Sequence, residues 1–136
     1  MTGRTGLFDV INAESLAIEE AIYATDIPGL SVLPSGQKVP DALERLSSAR
    51  CRETFRQLLA VDPSRILILD GPPLLMTNEG PAVAALAGQI LIVIEAGVTP
   101  KSSITTSLEL LDLDKPIGMI LNKTPGNLGP DFYYHY

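Results

Sequence analysis

The chain has 136 residues, enough for one domain with a real core, and its 46% hydrophobic content supports a folded protein. A net charge of −6 with no offsetting basic stripe argues against nucleic acid as the main partner. A single cysteine, Cys51, excludes a disulfide framework and metal-ligand spacing, and a reducing cytoplasm is the simplest setting.

Leu7 to Thr25 reads as helical. Leu7, Val10, Ile11, Leu16, Ile18, Ala21 and Ile22 fall near helical spacing, as two short helices broken around Asn12-Ala13-Glu14. The opening residues with Asp9, Glu14, Glu19 and Glu20 make no signal peptide. Pro28-Gly29 is a turn, and Leu30 to Pro34 is a short strand closed by Ser35-Gly36. Pro40 and Asp41 begin a helix with Ala42, Leu43 and Leu46 on one face. Ser47 or Ser48 caps the next, which runs to about Val61. Arg45, Arg50, Arg52 and Arg56 lie at helix-like spacings: a solvated face paired with Glu44 and Glu53, or part of a subunit contact.

Asp62-Pro63-Ser64 then leads into Ile66-Leu67-Ile68-Leu69-Asp70-Gly71-Pro72-Pro73. Four apolar residues followed by an aspartate predict a buried strand that delivers one carboxylate to its C-terminal edge. That is the Walker B arrangement of a phosphate-binding ATPase, whose Asp orders a Mg²⁺ hydration shell. Such a site also needs a glycine-rich loop ending in Gly-Lys-Ser/Thr, and no G-x-x-x-x-G-K-[ST] occurs in these residues. Gly3 and Gly6 have neither the lysine nor a preceding strand. The chain reads as the second half of a nucleotide-binding domain.

A helix follows near Asn78 to Leu86, with Glu79 as a first-turn carboxylate. Ile90 to Ile94 is the next strand, far too short to span a bilayer. Thr99 or Ser102-Ser103 starts a helix through Leu111, and Pro116 to Asn122 is the last strand. Pro125, Gly126, Gly129 and Pro130 predict a flexible tail over residues 124–136, after a domain of residues 1–123. Four strands alternating with helices predict an α/β fold, a parallel sheet of about four strands flanked by helices. Asp70 and Asn122 are expected at one C-terminal sheet edge, where ligands bind in such sheets. An exposed apolar flank is expected beside Ile66–Asp70.

In order and spacing, these residues resemble the bacterial tyrosine autokinases of exopolysaccharide and capsule biosynthesis, relatives of the MinD/ParA deviant-Walker ATPases. The markers are Gly6 to Asn12, Pro28 to Gly36, Leu46-Ser47-Ser48-Ala49-Arg50, Asp70 to Leu75, Gly88-Gln89 and Leu121-Asn122-Lys123. Thr77-Asn78-Glu79 and Gly88-Gln89 resemble the branch found beside exosortase-type loci. The resemblance implies an incomplete P-loop NTPase fold, with ATP and Mg²⁺ as cofactors in the intact family. It makes Asp70 the catalytic and metal-organising carboxylate, with Pro72 and Pro73 in the loop that faces the γ-phosphate. Gly71 stands where many relatives have Ser.

Asn122 then contacts the adenine base, its amide offering both a donor and an acceptor, while Lys123 faces solvent. Tyr133, Tyr134 and Tyr136, three of the four tyrosines, match the family's autophosphorylated C-terminal cluster. Cys51 is expected at the core or its boundary, and His135 has no partner that would make it catalytic. The Walker A loop and the family's second acidic motif are both missing, so the chain alone should be a poor kinase or none.

The expected function is therefore a truncated tyrosine autokinase domain, as a truncated gene, a misplaced start codon or a fragment. The alternatives are a non-catalytic module docking on an intact kinase or a membrane chain-length regulator, or a positioning-ATPase remnant. Intact kinase subunits or that regulator are the expected partners. A homo-oligomer is possible on this reading, and the expected location is the cytoplasmic face of the membrane, reached through a partner.

Overall fold

The computed structural model describes residues 4–13 and 16–125. The chain divides into two compact units, Met1–Asp70 and Gly71–Tyr136.

The first unit opens with helix α1, Leu7–Asn12, entered through Gly6. The Asp9 carboxylate accepts the Gly6 N–H at 2.8 Å, which satisfies a free donor at the helix start. Leu7 and Phe8 donate their backbone N–H groups to the Pro34 and Ser35 carbonyls. This close approach leaves no room for a side chain at Gly6: a Cβ there would strike the backbone of Pro34 and Gly36. The expected break after α1 is present. A 3₁₀ turn, Ile18–Ala21, follows it and leads into strand β1, Tyr23–Ala24. Strand β2, Ser31–Val32, pairs with β1 antiparallel across the Pro28-Gly29 turn, where Gly29 takes φ +80°.

Helix α2 spans Ala42–Ser47 and α3 spans Ala49–Val61. Ser48 caps α3, its hydroxyl accepting the Cys51 N–H at 3.1 Å. Cys51, Thr54, Phe55 and Leu58 are buried, at the i, i+3, i+4, i+7 spacing of one helix face. Val10, Ile18, Ala21 and Leu58 form the core cluster, with Leu16, Ile22, Leu33 and Leu67 packed against it.

Burial pushes the Cys51 thiol up, and the side chain has no exposed surface. A thiol that is neutral and enclosed reacts only when α3 opens. Iodoacetamide at pH 8 is expected to leave native Cys51 unmodified and to label it on unfolding. Rapid native labelling would contradict the packing.

The second unit contains α4, Glu79–Leu86, and β3, Ile90–Glu95, then α5, Lys101–Glu109, and β4, Ile117–Asn122. β3 and β4 pair in parallel from Ile90↔Ile117 to Glu95↔Asn122, with α5 as the crossover. The apolar runs are strands because each residue can enter this ladder. At the far end of α4, the Lys115 ammonium donates to the carbonyls of Ala84, Ala85 and Ala87 at 3.2, 2.8 and 3.0 Å. One cation thereby takes up carbonyls at the C-terminal end of the helix, where the Ala84 carbonyl also accepts the Ala87 N–H at 3.2 Å.

The expected single parallel sheet of about four strands is not what the described residues form. They make one antiparallel pair of two-residue strands and one parallel pair. Ile66–Asp70, expected as a buried strand, has no ladder partner. Its burial alternates. Leu67 packs on the core, while Ile66 and Ile68 are 86% and 83% exposed. An apolar run becomes a buried strand only where neighbouring strands take up its N–H and C=O groups, and none among the described residues does so. The expected apolar flank at this segment is therefore exposed surface on Ile66 and Ile68.

Candidate functional site

Asp70 closes the first unit, as the exposed last residue of the unpaired apolar segment. No hydrogen bond to its carboxylate occurs among the described residues, so the aspartate is not consumed in capping the turn that follows. Among those residues no group of three or more His, Cys, Asp or Glu could hold a metal ion. One carboxylate is a thin donor set for Mg²⁺, which takes one or two carboxylates together with waters and substrate phosphates. Asp70 therefore does not form a self-sufficient Mg²⁺ site.

Gly71-Pro72-Pro73 opens the second unit. The Pro73 carbonyl accepts the Met76 N–H at 3.1 Å, which closes a turn over Leu74–Met76. The loop is packed on α4: a Cβ at Gly80 would lie 3.1 Å from the Leu74 Cα and 3.5 Å from the Pro72 carbonyl oxygen. Two prolines and this contact fix the loop's path without any regular hydrogen bonding.

Asn122 ends β4, opposite Glu95 at the end of β3. Its carbonyl accepts the Ala96 N–H at 2.9 Å, carrying the ladder one residue past the strand. Its side-chain oxygen accepts the backbone N–H of Lys123 at 2.8 Å. Lys123 has φ +56°, in the left-handed region that a non-glycine residue rarely occupies. Lys123 is solvent-exposed, as expected, and its ammonium also reaches the Glu95 carboxylate at 3.0 Å. Glu95 is itself held by its N–H, which donates to the Thr99 hydroxyl at 3.0 Å. Glu95, Thr99, Asn122 and Lys123 thus form one polar cluster where both strands end. Sequence reading had marked only Asn122; the pairing of Glu95 with Lys123 needs the strand register.

The four arginines are not a free cationic face. Arg45 pairs with Asp41, not Glu44, at 2.8 Å and holds that carboxyl below its usual range. Arg56 pairs with Glu53 at 2.7 Å as expected; with Gln57 it likewise lowers the Glu53 pKa. Arg52 donates to the Ser47 carbonyl. Arg50 donates to the carbonyls of Ile11, Val10 and Ala13 at 2.9, 3.3 and 2.8 Å, joining α3 to the C-terminal end of α1. Tyr133, Tyr134, Tyr136 and His135 lie outside the described residues. Among the described residues no helix is long and apolar enough to cross a membrane.

No family model matches the chain. It is 26% identical over 140 residues to the putative tyrosine-protein kinase CapB of Staphylococcus aureus, covering 96% of this chain and 60% of that protein. It is 31% identical over 120 residues to the tyrosine-protein kinase YwqD of Bacillus subtilis (strain 168), covering 86% of this chain and 49% of that one. The tyrosine-protein kinase ptk of Acinetobacter johnsonii is 27% identical over 119 residues, which are 86% of this chain and 16% of that protein. The chain thus spans less than two thirds of the length of each. Its fold is like that of the crystallised VpsO kinase domain: the TM-score is 0.78 at 24% identity, over 90% of this chain and 60% of that domain.

Proposed function

We propose, from its homology to bacterial tyrosine-protein kinases, that the chain is a partial kinase domain of a capsule or exopolysaccharide system. On this reading its 136 residues supply acceptor tyrosines and the base-facing edge of a nucleotide site, but not the loop that holds a triphosphate. The observation that carries the proposal is the match to three such kinases over 86 to 96% of the chain. A parallel strand pair in an α/β unit supports it. β3 and β4 form a parallel pair joined by a helix, the unit from which such folds are built.

In this role Asp70 is the metal-organising carboxylate of the complete site. Pro72 and Pro73 shape the loop beside the phosphates, and Asn122 meets the adenine. ATP and Mg²⁺ are cofactors of the completed domain; Mg²⁺ would arrive with the phosphates, since Asp70 alone does not fit it. Intact kinase subunits, or a membrane chain-length regulator, are the partners, and they place the chain at the inner face of the membrane. The reading of the chain as a docking module without catalysis is favoured by one feature: the exposed Ile66 and Ile68 side chains offer apolar surface to a partner.

Tyr133, Tyr134 and Tyr136 are proposed as phosphoacceptors. Phosphoryl transfer to them requires an accessible hydroxyl in this chain and a complete nucleotide site in another. Incubating the chain with Mg-ATP and an active full-length kinase of the matched group is expected to place phosphate on the C-terminal peptide, read by mass spectrometry. An unmodified peptide, in a tube where the kinase phosphorylates itself, would remove the acceptor role.

A further inference from the structure

The segment Ile66–Leu69 has the burial pattern of a strand and, among the described residues, no neighbour to pair with. Burial alternates without a break: Arg65, Leu67 and Leu69 are half-buried, while Ile66, Ile68 and Asp70 are exposed. That is the period of an extended chain with one face on a core. Its path is fixed at two points. The Arg65 guanidinium donates to the Leu58 carbonyl at 2.9 Å, and Leu67 packs against the core cluster of the first unit. Among the described residues no backbone N–H or carbonyl of residues 66–70 is hydrogen-bonded to another backbone group. Pro63 and Pro72 bound the segment, so the open edge is short.

Exposed edges in monomeric folds carry charges, prolines or bulges that stop pairing. This one carries four apolar residues, and Ile66 and Ile68 are the two most exposed large apolar side chains among the described residues. We propose that Ile66–Asp70 is a strand-addition site, which takes an extended apolar strand from a second polypeptide. The two chemistries of the segment set what that polypeptide supplies. Its main chain pairs with the N–H and carbonyl groups of residues 66–70, and an apolar element adjoining the strand covers Ile66 and Ile68. Asp70 is exposed and favours a lysine or arginine where the incoming strand passes it. The chain matches 60% of CapB and shares its fold with 60% of the VpsO kinase domain. The second polypeptide is one that carries the unmatched part of that fold, and the two together form a split domain. The site rests on the docking reading of the chain and needs neither nucleotide nor phosphoryl transfer.

The test co-expresses the full chain with the unmatched part of CapB as a separate polypeptide and follows amide hydrogen exchange. In the free chain the amides of residues 66–70 are expected to exchange at nearly unprotected rates; in the complex they are expected to slow by at least about tenfold. Ile68→Lys leaves the packed face untouched and is expected to weaken the complex by at least about tenfold. Leu113→Lys, at an exposed position in the second unit, is expected to leave it unchanged. A complex in which residues 66–70 stay unprotected would overturn the strand site while leaving docking in place, and so would equal binding by Ile68→Lys. No complex at concentrations up to about 0.1 mM would overturn the docking reading and the site with it.

Discussion

Replacing Leu58 by alanine is expected to destabilise the first unit by about 2–5 kcal/mol, the range for a buried leucine truncated in a core. Leu58 is 3% exposed and sits among Val10, Ile18 and Ala21, so the lost atoms leave a cavity that three separate elements line. A unit of this size shifts its melting point by roughly 4–8 °C per kcal/mol, so a loss of more than about 8 °C is expected. Cys51, about two helical turns away and fully enclosed, reports the transition through its labelling. Leu59→Ala is the control. Leu59 is next in sequence but 40% exposed, and its truncation is expected to cost far less. Equal effects of the two would show that the face assigned to α3 is wrong.

The second large effect is expected in the other unit, at Lys115. Lys115→Met keeps the aliphatic stem and removes the ammonium that the carbonyls of Ala84, Ala85 and the C-cap residue Ala87 share. Hydrogen bonds from a charged donor contribute about 1.5–3 kcal/mol in total where, as here, the group is part-exposed. Hydrogen exchange of the α4 amides is expected to accelerate correspondingly, with little change in α3. Lys101→Met, at an exposed position with no such contact, should leave α4 exchange as it was. Unchanged exchange in Lys115→Met would mean that water replaces the ammonium at no cost.

Local chemistry was legible in the sequence where it is decided locally. Ser48 was readable as a cap, because its hydroxyl needs only the N–H three residues on. The Cys51, Thr54, Phe55, Leu58 face follows from periodicity alone. Ile90–Glu95 and Ile117–Asn122 were readable as strands because each satisfies the other. Ile66–Leu69 has the same apolar character and the same expected fate, yet finds no partner among the described residues; a run of apolar residues specifies what it would bury, not whether a neighbour exists to pair with. Strand β1 escaped the reading, which placed Tyr23–Ala24 in a helix, because a two-residue strand carries no periodicity; β2, within the expected strand Leu30 to Pro34, and the turn at Pro28-Gly29 were visible.

The long-range polar contacts were the least legible. Arg50 reaches carbonyls 37 to 40 residues away and Lys115 reaches 28 to 31 residues back. A helical spacing of arginines says nothing of either. Of the candidate site, Asp70 and Asn122 stand at the ends of the segments that the sequence assigned to them. The cluster around Asn122 depended on a register that pairs Glu95 with it, and on a backbone conformation at Lys123 that no residue preference announces.

The central claim is that this chain carries part of a tyrosine kinase without the part that grips the triphosphate. The direct measurement is a calorimetric titration of the 136-residue chain with Mg-ATP. Phosphate contacts from a glycine-rich loop and its lysine supply the principal hold on the nucleotide in such sites, and these residues contain no such loop. The expected result is no saturable heat at nucleotide concentrations up to about 1 mM, equivalent to less than about 4 kcal/mol of binding. A low-micromolar dissociation constant would contradict the account.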